Sequence, residues 1–214
     1  ALLERLGRIA AERGLYVKSH LSENTGEVAW VRELCPDCGQ YWETYDKYGL
    51  WKSHTIMAHC VHSDGREQQA MAEAGVLAVH CADSNVSLCS GTAPAREMLE
   101  RGVWVALGSD IAGGSQLGMP QVITASIRAS KVKSMESGAP FLTVPEGYYL
   151  GTTAGHRYFG AGAGFAAGDK LHAVVVDESR FPEPVRELSL PERLERALYL
   201  MDARDIRAVY SDGR

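Results

Sequence analysis

Five side chains in this sequence have the types and spacing that metal-assisted chemistry needs: His20, Glu23, His59, His80 and Asp110. An imidazole can hold a cation, and a carboxylate three residues further on can carry a proton to or from whatever that cation activates. His20 and Glu23 stand in that relation. One such pair arises easily by chance, so the weight lies in recurrence. An apolar-leaning run, Leu15 to Val17, leads to His20, and Thr55 to Ala58 ends in His59. Val76 to Val79 ends in His80, and Val103 to Leu107 runs through Gly108 and Ser109 into Asp110. Taken singly, each His reads as a hydrogen-bonded residue at a strand end. Taken together, four metal-competent groups at corresponding positions read as one site.

The elements that must position them follow from periodicity. Residues 1–13 have apolar positions at helical spacing (Leu2, Leu3, Leu6, Ile9, Ala10), and Gly14 ends that helix. Helices are expected at 24–34, 40–49, 65–74 and 92–101, with Gly75 and Gly102 as breaks before the next strand. The four strands are nearly continuous in apolar residues, as strands buried on both faces should be. Parallel strands joined by helices place all their C-terminal ends at one face, and in (β/α) barrels that face carries the active site. A long helix is expected over 116–138, with Met119, Val122, Ile123, Ser126, Ile127 and Val132 as its buried face. Gly113 and Gly114 before it let backbone approach a ligand closely. Another helix is expected over 143–159, with Pro145 in its first turn. The Gly/Ala-rich stretch 160–168 marks a boundary. Beyond it a strand at 171–177, a helix at 191–201 and a strand at 206–210 form a small β unit.

Bulk properties narrow the classes. The chain has 214 residues with 45% hydrophobic content, enough for one sizeable core and a small appendage. Net charge is −5 and no basic block is present, which argues against nucleic acid as a partner. No apolar run is long enough for a bilayer and no signal peptide is visible, so no membrane partner is expected. Five cysteines, an odd number scattered through an α/β pattern, read as free thiols in a reducing cytoplasm. The sequence starts inside a helical pattern and stops in a turn, Ser211 to Arg214, so a fragment of a longer protein is expected.

Four stretches then resemble a known family in order and spacing. They are Ser19-His20-Leu21-Ser22-Glu23, Met57-Ala58-His59, Val79-His80-Cys81-Ala82-Asp83-Ser84-Asn85 and Gly108-Ser109-Asp110-Ile111-Ala112-Gly113-Gly114. They resemble the second half of the deaminases of the amidohydrolase superfamily. The Asp-Ile-Ala-Gly-Gly stretch and the segment 35–46 (Cys-Pro-Asp-Cys-Gly-Gln-Tyr-Trp-Glu-Thr-Tyr-Asp) are most similar to its guanine-deaminating members. The resemblance implies an α/β fold of the (β/α)8 barrel type, with only strands five to eight present. It implies domains at 1–165, the half-barrel, and 166–214, part of a C-terminal β-sandwich. Also implied is zinc-dependent hydrolysis of guanine to xanthine and ammonia. His20 and Asp110 would ligate zinc, and Asp110 would also accept a proton from the attacking water. Glu23 would shuttle protons to the purine ring and the leaving amine, and His59 would orient the water and stabilise the developing oxyanion. His59, His80 and Asn85 would contact the substrate. Ala82 stands where relatives usually have Pro. The His-x-His pair of the family's first strand does not occur in this chain, so the remaining zinc ligands are expected elsewhere and this segment alone is expected to be inactive. A homodimer is compatible with the resemblance.

Other readings stay open. One is another amidohydrolase acting on an aminated or chlorinated heterocycle. Another is a non-catalytic truncated remnant. Cys35-Pro36-Asp37-Cys38 invites a zinc ribbon, but a second pair is needed and Cys60 with His62 is a poor one. A thioredoxin-like motif would open a helix directly after a strand, whereas this one lies between helices. The Cys/His class of zinc deaminases needs His-x-Glu and Pro-Cys-x-x-Cys, and neither is present. His54, His62, His156 and His172 read as surface or structural, and Trp30, Trp42 and Tyr45 as core, interface or mouth-lining residues.

Overall fold

The computed structural model describes residues 2–161 and 164–214. Residues 162 and 163, inside the stretch expected as a boundary, lie outside the described residues, as does residue 1. In chain order the elements are α1 (Leu2–Glu12), β1 (Val17–Leu21), α2 (Thr25–Leu34), α3 (Glu43–Asp46), β2 (Thr55–His59), α4 (Gly65–Ala74), β3 (Leu77–His80) and α5 (Ala82–Ser87). Then follow α6 (Ala95–Glu100), β4 (Trp104–Leu107), α7 (Met119–Ser137), α8 (Val144–Gly151), α9 (Thr153–Tyr158), β5 (Ala173–Val176), α10 (Leu190–Leu200) and β6 (Ile206–Tyr210).

Strands β1 to β4 form one sheet in sequence order, all parallel. The register sets Leu21 beside His59, Ala58 beside Val79 and His80 beside Leu107. Their C-terminal ends therefore reach the same edge within a residue or so, and the strand-end side chains are neighbours. Leu21, Met57, Leu77 and Val105 bury their side chains in one core with Met71 of α4, Ile123 and Ile127 of α7, and Leu150 of α8. Strands β5 and β6 pair antiparallel as a separate two-stranded sheet. Helix α10 joins this tail to the main body: Leu198 belongs to the main core, and the Gln121 amide donates to the Met201 carbonyl at 2.6 Å.

Local chemistry sets most boundaries. Asn24 and Glu27 form a capping box that opens α2, and Asp64 caps α4 by accepting from the Arg66 and Glu67 N–H groups. Gly75 takes the left-handed conformation that stops α4, at φ 69°. Thr143 and Glu146 box the start of α8.

Several expected boundaries move. The first strand begins at Val17, and Leu15 and Tyr16 before it are exposed. Only one helical turn, α3, forms within 40–49. The helix expected over 143–159 is two helices, divided at Thr152, whose φ of −133° is not helical. Gly151 at that break lies so close to Ile123 that an added Cβ would crowd its side chain. Val132, expected on the buried face of α7, is exposed, and so is Trp30 on α2. On α1, Leu2, Leu3 and Leu6 are exposed, and the helix is anchored through Gly7 and Ala10 instead.

Gly7 packs against the Tyr48 backbone carbonyl, where no side chain fits. In an ordinary helix interior, Gly→Ala is worth about 1 kcal/mol of added stability. Here Gly7→Ala is expected to destabilise, by about 1–3 kcal/mol as overpacking does. Urea unfolding of both proteins measures the sign, and a more stable variant would show that α1 does not sit on Tyr48.

Candidate functional site

The site is built around His59, the last residue of β2, whose side chain is 2% exposed. Its Nδ1 is 2.8 Å from Oδ1 of Asn85, on the short helix α5 that follows β3. Its Nε2 is 3.7 Å from the Glu23 carboxylate and 3.9 Å from the Asp110 carboxylate. The His20 ring lies alongside, with centroids 5.1 Å apart. One amide thus fixes the imidazole from behind while two carboxylates face it from the other side.

The backbone at these strand ends is unusual. Ser22, His59, Cys60 and Asp110 all have positive φ, between 47° and 73°. Non-glycine residues there cost on the order of 1–3 kcal/mol each, and such residues cluster where side chains must be aimed. Each carboxylate is steadied in turn. The Ser84 hydroxyl donates to Asp110 Oδ2 at 2.6 Å, and the Ser90 hydroxyl donates to Glu23 Oε1 at 3.2 Å. The Glu27 carboxylate of the α2 capping box accepts from the Glu23 N–H at 2.8 Å. Asp83 accepts from both the N–H and the hydroxyl of Ser115, which ties the loop after Asp110 to α5. A Cβ at Gly113 would meet the Ser84 hydroxyl and the Asp110 carboxylate, so this loop needs glycine to close. The Tyr45 hydroxyl donates to the His20 carbonyl at 2.8 Å.

His80 and Asn85 are buried, and neither ring nitrogen of His80 nor the Asn85 amide nitrogen has a hydrogen-bond partner among the described residues. Buried polar atoms of this kind are few in native proteins, and each calls for a partner. Burial, helped by the nearby His59, depresses the His80 pKa to about 4, so the ring is neutral near pH 7. Cys81 is pushed up to about 12 by burial and the Asp110 charge, and stays a thiol beside the site.

The expected residues are therefore together: Glu23, His20, Asn85 and Asp110 surround His59, with His80 adjacent. Sequence reasoning missed Ser84, Ser90 and Ser115. Ser84 lies within a stretch singled out for its neighbours, but a lone serine has no pattern to find it by. Among the described residues, no group of three or more His, Cys, Asp or Glu is arranged to hold a metal ion. His20 and Asp110 supply one imidazole and one carboxylate, both zinc donors, and the His20 ring lies beside that of His59. That chemistry fits two places of a zinc shell, one short of the three protein ligands a catalytic zinc takes.

The family model for the amidohydrolase family matches residues 1–214. The chain belongs to the amidohydrolase family. It is 32% identical to guanine deaminase of Dictyostelium discoideum over 220 residues, 99% of this chain and 49% of that protein. The chain spans about half the length of the curated relatives it matches. A crystal structure of guanine deaminase from C. acetobutylicum with bound guanine superposes with a TM-score of 0.93 at 40% identity, covering 99% of this chain and 51% of that one. An adenosine deaminase from Xanthomonas campestris with bound zinc gives 0.84 at 25% identity, covering 99% of this chain and 47% of that one. All three of these relatives are named as deaminases.

The buried His80 makes a pH prediction. Unfolded, it takes up a proton near pH 6.5; folded, it resists until about 4. The unfolded state therefore binds protons first as pH falls, so this share of stability is intact above 6.5 and drains away between 6.5 and 4, by about 3 kcal/mol. Urea midpoints across that range are expected to fall in the native chain and to fall less steeply in His80→Leu. Equal slopes would show that His80 is not the group responsible.

Proposed function

We propose that this chain carries the C-terminal half of a zinc-dependent guanine deaminase. In this reading, strands β1 to β4 are the fifth to eighth strands of a (β/α)8 barrel spanning 1–165, and 166–214 is part of a β-sandwich. The supporting observation is the convergence on His59 of Glu23 and Asp110, at 3.7 and 3.9 Å, in a chain whose relatives are named guanine deaminases. Its place would be the cytoplasm, with five free thiols; no helix among the described residues is long and apolar enough to cross a membrane.

The residues divide the work. His20 and Asp110 would hold zinc together with ligands from a preceding segment that bears a His-x-His pair. Zinc, when bound, lowers the pKa of its water toward neutrality. Asp110 accepts a proton from the attacking water. Glu23 moves a proton to the purine ring nitrogen and then to the departing amine, so ammonia leaves and xanthine remains. His59, held by Asn85, orients the water and stabilises the oxygen that gains charge as C2 becomes tetrahedral. His80 and Asn85 offer the unspent polar atoms that a purine edge would engage.

Ammonia release from guanine tests this directly. The chain alone is expected to be inactive, and a longer protein bearing the His-x-His segment active. Activity in the short chain, or none in the long one with guanine among a panel of aminated and chlorinated heterocycles, would overturn the reading. In the longer protein, Glu23→Gln is expected to lower kcat by about 10²–10⁴, the usual contribution of a positioned acid–base group, with KM little changed.

A further inference from the structure

Away from His59, the N–H of Cys38 donates to the Cys35 carbonyl at 3.0 Å and closes a four-residue turn with Pro36 and Asp37 at its corner. Such a turn holds its end Cα atoms within about 7 Å, and a disulfide spans about 4.4–6.8 Å. Pro36 fixes its own φ, and an ion pair from Lys47 to Asp37 pins the next residue. Both thiols are unpaired and half-buried, and both line one cavity of about 110 Å³ with Arg32, Gln40, Tyr41 and His62. Burial first, then the charges of Asp37 and Cys35, hold the Cys38 thiol above its ordinary pKa. A thiol that ionises reluctantly is a poor leaving group, so a disulfide made with it resists reduction.

The turn leads from α2 into the segment that supports β1. Tyr41 donates to Glu27 at 2.7 Å, and the Tyr45 hydroxyl meets both Ser19 Oγ and the His20 carbonyl at 2.8 Å. We propose that Cys35 and Cys38 are a reversible dithiol–disulfide pair whose oxidation braces the segment holding the end of β1. With glutathione disulfide as oxidant, one cysteine thiolate attacks a glutathione sulfur, the glutathione S–S bond breaks, and one glutathione leaves as its thiol. The second cysteine thiolate then attacks the protein sulfur of the mixed disulfide. The internal S–S bond forms and the other glutathione leaves. Both cysteine protons end on the two glutathione thiols, and two electrons pass from protein to oxidant.

The native chain is incubated with glutathione disulfide and mapped by mass spectrometry without reductant, and amide exchange is followed in both states. A Cys35–Cys38 bond, reversed by dithiothreitol, is expected while exposed Cys89 carries glutathione and buried Cys60 and Cys81 stay free. Exchange over residues 40–49 is expected to slow severalfold in the oxidised form. Separate glutathione adducts on Cys35 and Cys38, or two free thiols when Cys89 has reacted, would overturn the pairing. Unchanged exchange over 40–49 with the bond formed would overturn the bracing.

Discussion

A buried imidazole facing two carboxylates has to be held in place, and much of this structure serves that end. His59 is almost completely enclosed, yet it touches charge on one side and an amide on the other. An arrangement like this cannot be assembled by a loop alone. It needs strands in fixed register, because a shift of one residue would turn His59 to the opposite face of the sheet. The register that pairs Leu21 with His59, and His80 with Leu107, is secured by the apolar core beneath it.

The site then draws on less regular structure. Left-handed backbone at Ser22, His59 and Asp110 turns the chain sharply where the strands stop. Helix α5 begins within two residues of His80 and carries Ser84 and Asn85, so one short element reaches both Asp110 and His59. Conformational strain of this kind persists only where surrounding contacts over-determine it. Those contacts are the hydroxyl bonds from Ser84 and Ser90 and the Asp83–Ser115 tie.

Sequence made the strands visible because apolar runs leading into His or Asp are local patterns, although only His59 and His80 end theirs: β1 runs on to Leu21, and Asp110 lies three residues beyond β4. The same holds for α2 and α4, expected at 24–34 and 65–74 with Gly75 as a break, while the caps at Asn24, Glu27 and Asp64 emerge only in the structure. Helix α5 left no such trace, since it is only six residues long and has no side-chain cap. Thr152 was equally silent: the break there reflects the close approach of Gly151 to Ile123, a contact between distant parts of the chain. Exposure of Val132 and Trp30 could not be read from spacing, because periodicity identifies an apolar position without saying whether anything covers it. The serines that steady the carboxylates are invisible for the same reason, being defined by partners 26 and 67 residues away.

The central claim is that His59 and Glu23 act as one unit. If the proposed longer protein deaminates guanine, a double-mutant cycle in it measures this through kcat/KM, using His59→Asn, Glu23→Gln and the pair. Groups that work as a unit are strongly non-additive. The account predicts that the double variant is little worse than the poorer single variant. Losses that multiply, as for independent sites, would contradict it.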